Sequence, residues 1–258
     1  MSKEVVARVV PRNRWGTNDI VKKDFLLLPI YIFFQILMPI IIVFGVLGVT
    51  AMITQDPPPL YLYNLTLSIS FVIAQFIAIG AFFALHKYYI ADVARRQLYY
   101  VKQRYVGVIA CVTIISLILY FGFNMLAQFI PSPFGYEKTQ ALIRLEGLFN
   151  HPGAIIFTFM SMVILRPLVE ELILRHLIIH ELGKKWNLAL VVILSLFIEV
   201  ILHVYDLISI MEMIPYMILS IGAIVVYLYS GKNLAASYLY HSSVQLVIFI
   251  ITMVERFF

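Results

Sequence analysis

Arg166, Glu170, Glu171 and Arg175 crowd into one short stretch, "RPLVEELILRHLI" (166–178), of an otherwise apolar run. Further along, Glu199 stands four residues before His203, and His241 stands four before Gln245. Carboxylates, imidazoles and an amide can exchange protons, hold a metal or orient a reacting group. A charge near the bilayer centre costs roughly 2.5–3.5 kcal/mol on insertion scales. Groups retained at that cost face a bundle interior or a cavity, and they mark a site.

Helical geometry sorts their roles. Residues four apart lie about 40° from one another around a helix and one turn along it. Glu171 and Arg175 can therefore neutralise each other as a structural pair. Arg166 stands in the same relation to Glu170, with Pro167 in the intervening turn. Adjacent Glu170 and Glu171 point about 100° apart, which leaves Glu170 as the reactive carboxylate. Glu199, one turn before His203, is placed to hold that imidazole and its tautomer. His176 and His180 share the same spacing but lie near a helix end, and both are expected at the interface.

The elements that carry these residues are membrane spans. Hydrophobic residues make up 62% of the 258-residue chain and charged residues 13%. A soluble domain usually carries about 25% charge, so the composition describes an all-α, polytopic membrane protein. Runs of about 20 apolar residues give about seven transmembrane helices: 26–52, 60–86, 106–130, 153–182, 188–205, 208–230 and 233–254. "TQDPPP" (54–59), "PSPFGYEK" (131–138) and "HPG" (151–153) interrupt them, because proline cannot continue a helix. The ionisable residues gather in the C-terminal spans, with Glu212 in the sixth, so the polar site belongs to the C-terminal half.

Orientation follows from the basic residues. Of the nineteen Lys and Arg residues, only Lys138, Arg144 and Arg256 fall on one side, and Arg166 and Arg175 lie inside a span. The basic side is the cytoplasmic one, which puts the N-terminus in the cytoplasm of a multi-pass protein of the cell membrane. The chain divides into a basic cytoplasmic tail (1–25), scaffold spans with an amphipathic loop (26–152) and the helices of the site (153–258). The amphipathic segment is "HKYYIADVARRQLYYVKQRY", and "YEKTQALIRLEGLFN" can form a short interfacial helix. The single cysteine, Cys111, excludes an intramolecular disulfide, and Asn64 matches a three-residue glycosylation pattern. The charge of +5 is explained by topology, and no nucleic-acid partner is expected.

Glu-Glu-x-x-x-Arg on one span, a histidine on the next and a second histidine later in the chain form a larger pattern. It resembles the CPBP family, the CAAX prenyl endopeptidases and bacteriocin-processing (Abi) membrane proteins. The resemblance runs from about 153 to 245. It implies that Glu170 activates water, that Glu171 and Arg175 complete the first motif, and that His203 and His241 are catalytic. Gln245 stands at the third motif's Asn/Asp position, and Glu199 stands where the family has phenylalanine.

Peptide hydrolysis needs a polarised water, a base and oxyanion donors. The resemblance assigns these to Glu170 with His203 and to His241 with Gln245. The competing version places one divalent metal such as zinc on Glu170, His203 and His241; with and without metal both stand open. The expected partners are the lipid bilayer and a membrane-associated peptide or protein substrate. Two other functions fit the same residues: a non-catalytic protein of this fold, for immunity or signalling, and a transporter with a buried proton relay.

Overall fold

The computed structural model describes residues 19–86, 89–131, 133–204 and 209–257. Most of the basic tail and the junction of the fifth and sixth expected spans lie outside the described residues. The elements run as a 3-10 turn at Lys22–Leu26, α1 (Leu27–Thr54), α2 (Leu60–His86), α3 (Tyr89–Tyr100), α4 (Val106–Ala127) and α5 (Gln140–Leu148). Then come α6 (Pro152–Phe159), α7 (Arg166–Glu171), α8 (Leu188–His203), α9 (Met213–Tyr229) and α10 (Leu234–Phe257). There is no strand among the described residues.

Six helical stretches are long and apolar enough to cross a membrane: Lys22–Thr54, Leu60–His86, Ile90–Ala127, Pro152–Lys184, Ile210–Tyr229 and Leu234–Phe257. The remaining expected span is α8, which is apolar but only 16 residues long. At 1.5 Å per residue it covers about 24 Å, short of a bilayer core of roughly 30 Å. The all-α polytopic architecture is as the sequence indicates, with one of its seven helices shortened. α1 leaves Phe33, Ile36, Phe44, Met52 and Ile53 exposed, as suits a helix facing lipid.

Local sequence explains the boundaries. Gln55 adopts the left-handed conformation and caps α1 before the prolines. α6 opens with His151, whose Nδ1 accepts the Gly153 N–H at 3.1 Å, followed by Pro152 at the first position. Asn187 caps α8 by accepting the Ala189 N–H at 2.8 Å. α3 continues through a π-helical turn at Val101–Tyr105 into α4, so the amphipathic segment is an extension of the third span. α5 forms where an interfacial helix was expected, with Thr139 at its N-cap.

Polar contacts stitch the scaffold to the helices that carry the site. Ser68 meets Thr158 at 2.9 Å, and the Gln75 amide donates to Ser161 at 2.9 Å; hydrogen bonds of this kind join helices within a bilayer. The Asn64 amide is buried and donates to the Gly147 carbonyl at 2.8 Å, so in the folded state it does not present a glycosylation acceptor. Gln97 of α3 binds the start of α10 through Asn233 and the Ala235 N–H. Cys111 is exposed on α4.

α9 lies between α4, α8 and α10, and Gly222 sets its spacing. A Cβ there would collide with the Tyr240 hydroxyl and the Ser116 hydroxyl. Tyr240 is 1% exposed, and its hydroxyl donates to the Leu219 carbonyl at 3.1 Å, so it cannot swing aside cheaply. Gly222→Ala is expected to cost about 1–3 kcal/mol by overpacking. Thermal unfolding in detergent should show it, and an unchanged midpoint would mean that α9 can shift freely.

Candidate active site

The residues of the site come from α7 and its continuation, α8 and α10. π-helical stretches at Met160–Leu165 and Leu172–Glu181 flank α7, and such turns recur at functional sites. Glu170, Glu171 and Arg175 are 2%, 0% and 0% exposed. Both i, i+4 pairs form despite Pro167. Arg166 Nε donates to Glu170 Oε1 at 2.7 Å, and Arg175 Nε lies 3.3 Å from Glu171 Oε2.

Arg175 also reaches beyond its own helix. Its Nη1 donates to Glu199 Oε2 at 2.7 Å, and its Nη2 donates to the Ser220 carbonyl at 3.3 Å. The Ser220 hydroxyl donates to the same Glu199 oxygen. This corrects the role expected for Glu199. Its carboxylate turns to the guanidinium, because a buried cation between two helices attracts both available carboxylates. His203 is oriented instead by the Glu199 backbone, through Nδ1 at 2.9 Å from that carbonyl, and its ring stacks on Tyr216 at 5.2 Å.

Glu171 has a second task that spacing did not indicate. Its Oε1 lies 3.1 Å from His241 Nδ1, while its Oε2 accepts the Ser237 hydroxyl. Glu170 Oε2 approaches the other side of that ring, 3.5 Å from His241 Nε2. The two adjacent glutamates thus address the two nitrogens of one imidazole, which their 100° separation on the helix permits. Gln245 Nε2 is also 3.5 Å from His241 Nε2. Ser220 and Ser237 were not anticipated, since a serine in an apolar helix carries no signal of what it faces.

These contacts fix the tautomers. A carbonyl or carboxylate can only accept, so Nδ1 of His203 and Nδ1 of His241 each carry a proton. His241 Nε2 faces Glu170 Oε2 at 3.5 Å, and His203 keeps Nε2 as its second nitrogen. One donor atom from each of Glu170, His203 and His241 lies within 4.8 Å of the others. Three ionised carboxylates (170, 171, 199) against two guanidiniums (166, 175) leave one negative charge to be balanced. A proton on an imidazole or a cation between Glu170 and the histidines would balance it. The donor set of one carboxylate and two oriented imidazoles fits a divalent metal.

His176 differs from expectation. It is 1% exposed and packed inside the protein, with Nε2 at 2.8 Å from Asp24 Oδ2. Asp24 is fully buried, although the sequence places it at the end of the basic tail. An acid 152 positions away leaves no trace in the local pattern around His176. His180 is only partly buried.

The fold and site define a polytopic helical membrane protein with a buried Glu/His centre in its C-terminal half. Residues 152–247 match the family described as Rce1-like, type II CAAX prenyl endopeptidase Rce1-like. That description is of the CPBP/CAAX protease family, which this segment of the chain is similar to. The match contains every residue of the site, from Arg166 to Gln245. No curated protein and no solved structure matches the chain.

Proposed function

We propose that the protein is an intramembrane endopeptidase that hydrolyses a peptide bond in a membrane-associated peptide or protein. The observation that carries this reading is the convergence of Glu170, His203 and His241, one donor atom from each lying within 4.8 Å of the others. A water held between Glu170 and His203 attacks the scissile carbonyl carbon. Glu170 Oε2 takes its proton and returns it to the leaving amine as the C–N bond breaks, which balances the reaction. The developing oxyanion faces the Gln245 amide and, when the ring is also protonated at Nε2, His241. A divalent metal would be held by Glu170, His203 and His241, and would supply Lewis-acid polarisation of the carbonyl.

Glu199 takes no part at this face, since its carboxylate is engaged by Arg175 and Ser220. The departure from the family pattern at this position therefore leaves the reacting face intact. The lysine and arginine distribution supports a cytoplasmic N-terminus in the cell membrane. The test is purified protein in liposomes with lipid-anchored peptides, prenylated and unprenylated, followed by mass spectrometry of new termini. Cleavage by the wild type and not by Glu170→Gln is the expected result. Absence of any new terminus across such a peptide set would favour the non-catalytic reading.

Gln245 gives a finer test. Its amide is the same as asparagine's, with a reach longer by one methylene, about 1.5 Å. Losing one oxyanion donor costs roughly 10²–10³ in rate, so Gln245→Ala should lose about that factor. Gln245→Asn should also be impaired, because its amide falls short of the position the longer side chain serves. Equal turnover of one substrate by all three proteins would remove Gln245 from the mechanism.

A further inference from the structure

His203 is the last residue of α8, and helix ends fray. The next residue, Val204, leaves helical geometry at φ −123° and ψ 36°. The torsion that sets an imidazole's plane is broad and roughly two-fold. The hydrogen bond from His203 Nδ1 to the Glu199 carbonyl, 2.9 Å, therefore fixes one edge of the ring and not its plane. The Glu199 carboxylate gives no help, being turned to Arg175 and Ser220. The site nevertheless needs that plane fixed, because a donor atom of His203 lies within 4.8 Å of donor atoms of Glu170 and His241.

Tyr216 supplies the missing constraint. Its ring lies 5.2 Å from the His203 ring with 23° between the planes, the geometry of an offset stack. Tyr216 is itself well held. It is 8% exposed in the first turn of α9, and the Tyr120 ring of α4 meets it edge-on at 6.3 Å. Its hydroxyl is 3.2 Å from that of Thr139, the fully buried N-cap of α5. Glu212, just before α9, accepts the Gln140 N–H of α5 at 2.9 Å. α5 also reaches α8 directly, since Arg144 Nη2 donates to the His203 carbonyl at 3.3 Å. A cation is favourable at such a helix C-terminus. Ala141 completes the junction by packing with Val200, Val204 and Tyr216.

We infer that Tyr216, held by the interfacial helix α5, is a positioning residue for His203. It touches no reacting atom; it sets the plane of the ring that holds the attacking water, so the inference rests on the hydrolysis proposed above. Catalysis is sensitive to such placement, since a displacement of about 1 Å costs roughly 10² in rate. α5 precedes the matched segment 152–247, so the site extends beyond the helices that carry its motifs.

The experiment compares full-length wild type, Tyr216→Leu and Tyr216→Phe in liposomes with one cleaved peptide. Tyr216→Leu should lower kcat by roughly 10²-fold with KM nearly unchanged. Tyr216→Phe keeps the ring and should recover most of that loss. A folded Tyr216→Leu protein with wild-type kcat overturns the inference, and so does a Tyr216→Phe protein as slow as Tyr216→Leu. A second measurement needs no cleavage and no folded variant at position 216. In detergent, NMR signals of the His203 ring, identified by their absence from His203→Gln, should show cross-relaxation with Tyr216 ring protons in the wild type. Its absence overturns the inference. If the wild type shows it but cleaves no peptide, the hydrolysis reading fails while the hold of Tyr216 on His203 stands.

Discussion

Glu170→Gln is expected to abolish peptide cleavage while leaving the protein folded at close to its normal yield. The substitution keeps shape and one carbonyl oxygen, which can still accept from Arg166 as Glu170 Oε1 does at 2.7 Å. What it removes is the oxygen that approaches His241 Nε2 at 3.5 Å and accepts no hydrogen bond among the described residues. A carboxylate so placed is poised to take a proton from water, and an amide cannot. General-base catalysis contributes about 10²–10⁴ in rate, so turnover should fall by at least that range.

Arg166 is partly exposed, at 36%, and the amide oxygen introduced at position 170 can still accept from its guanidinium. The stability cost of Glu170→Gln should therefore be small. The discriminating measurement pairs turnover with thermal unfolding. A stable protein with full activity would remove Glu170 from catalysis. His203→Gln should behave similarly, because its Nδ1 contact is to backbone.

Local spacing made the arginine–glutamate pairs legible. An i, i+4 relation on a helix holds wherever the helix runs, and both pairs formed, the first of them across Pro167. The spans were legible for a similar reason, since a bilayer demands about 20 apolar residues irrespective of neighbours. The polar C-terminal half followed from the cost of charge in lipid. Contacts between distant segments left no such trace. Glu199 sits one turn from His203, yet a guanidinium 24 positions earlier takes its carboxylate. His176 looked interfacial because its buried partner, Asp24, stands beside a charged tail at the opposite end of the sequence. The shortening of α8 was hidden because apolar sequence continues up to its terminus at His203.

The largest stability effect falls on Arg175. Its guanidinium is fully buried and is the shared cation of Glu171, 3.3 Å away, and Glu199, 2.7 Å away. Replacing it with methionine fills much of the volume but leaves two carboxylates facing each other without a counter-charge. Breaking a buried pair by removing one partner costs about 3–5 kcal/mol, and here one cation serves two partners. Arg175→Met should therefore yield little folded protein, or protein with a strongly lowered unfolding midpoint. Glu171→Gln should be milder, because Arg175 keeps Glu199 and the Ser220 carbonyl. Its loss should appear instead at His241, whose Nδ1 is held by Glu171, as lower turnover in protein that still folds. The triple change Glu171→Gln, Arg175→Met, Glu199→Gln removes every charge of the network and should recover much of the stability lost by Arg175→Met alone. Unfolding midpoints of the four proteins decide it. If Arg175→Met were as stable as the wild type, the guanidinium would not be what holds α7 and its continuation to α8.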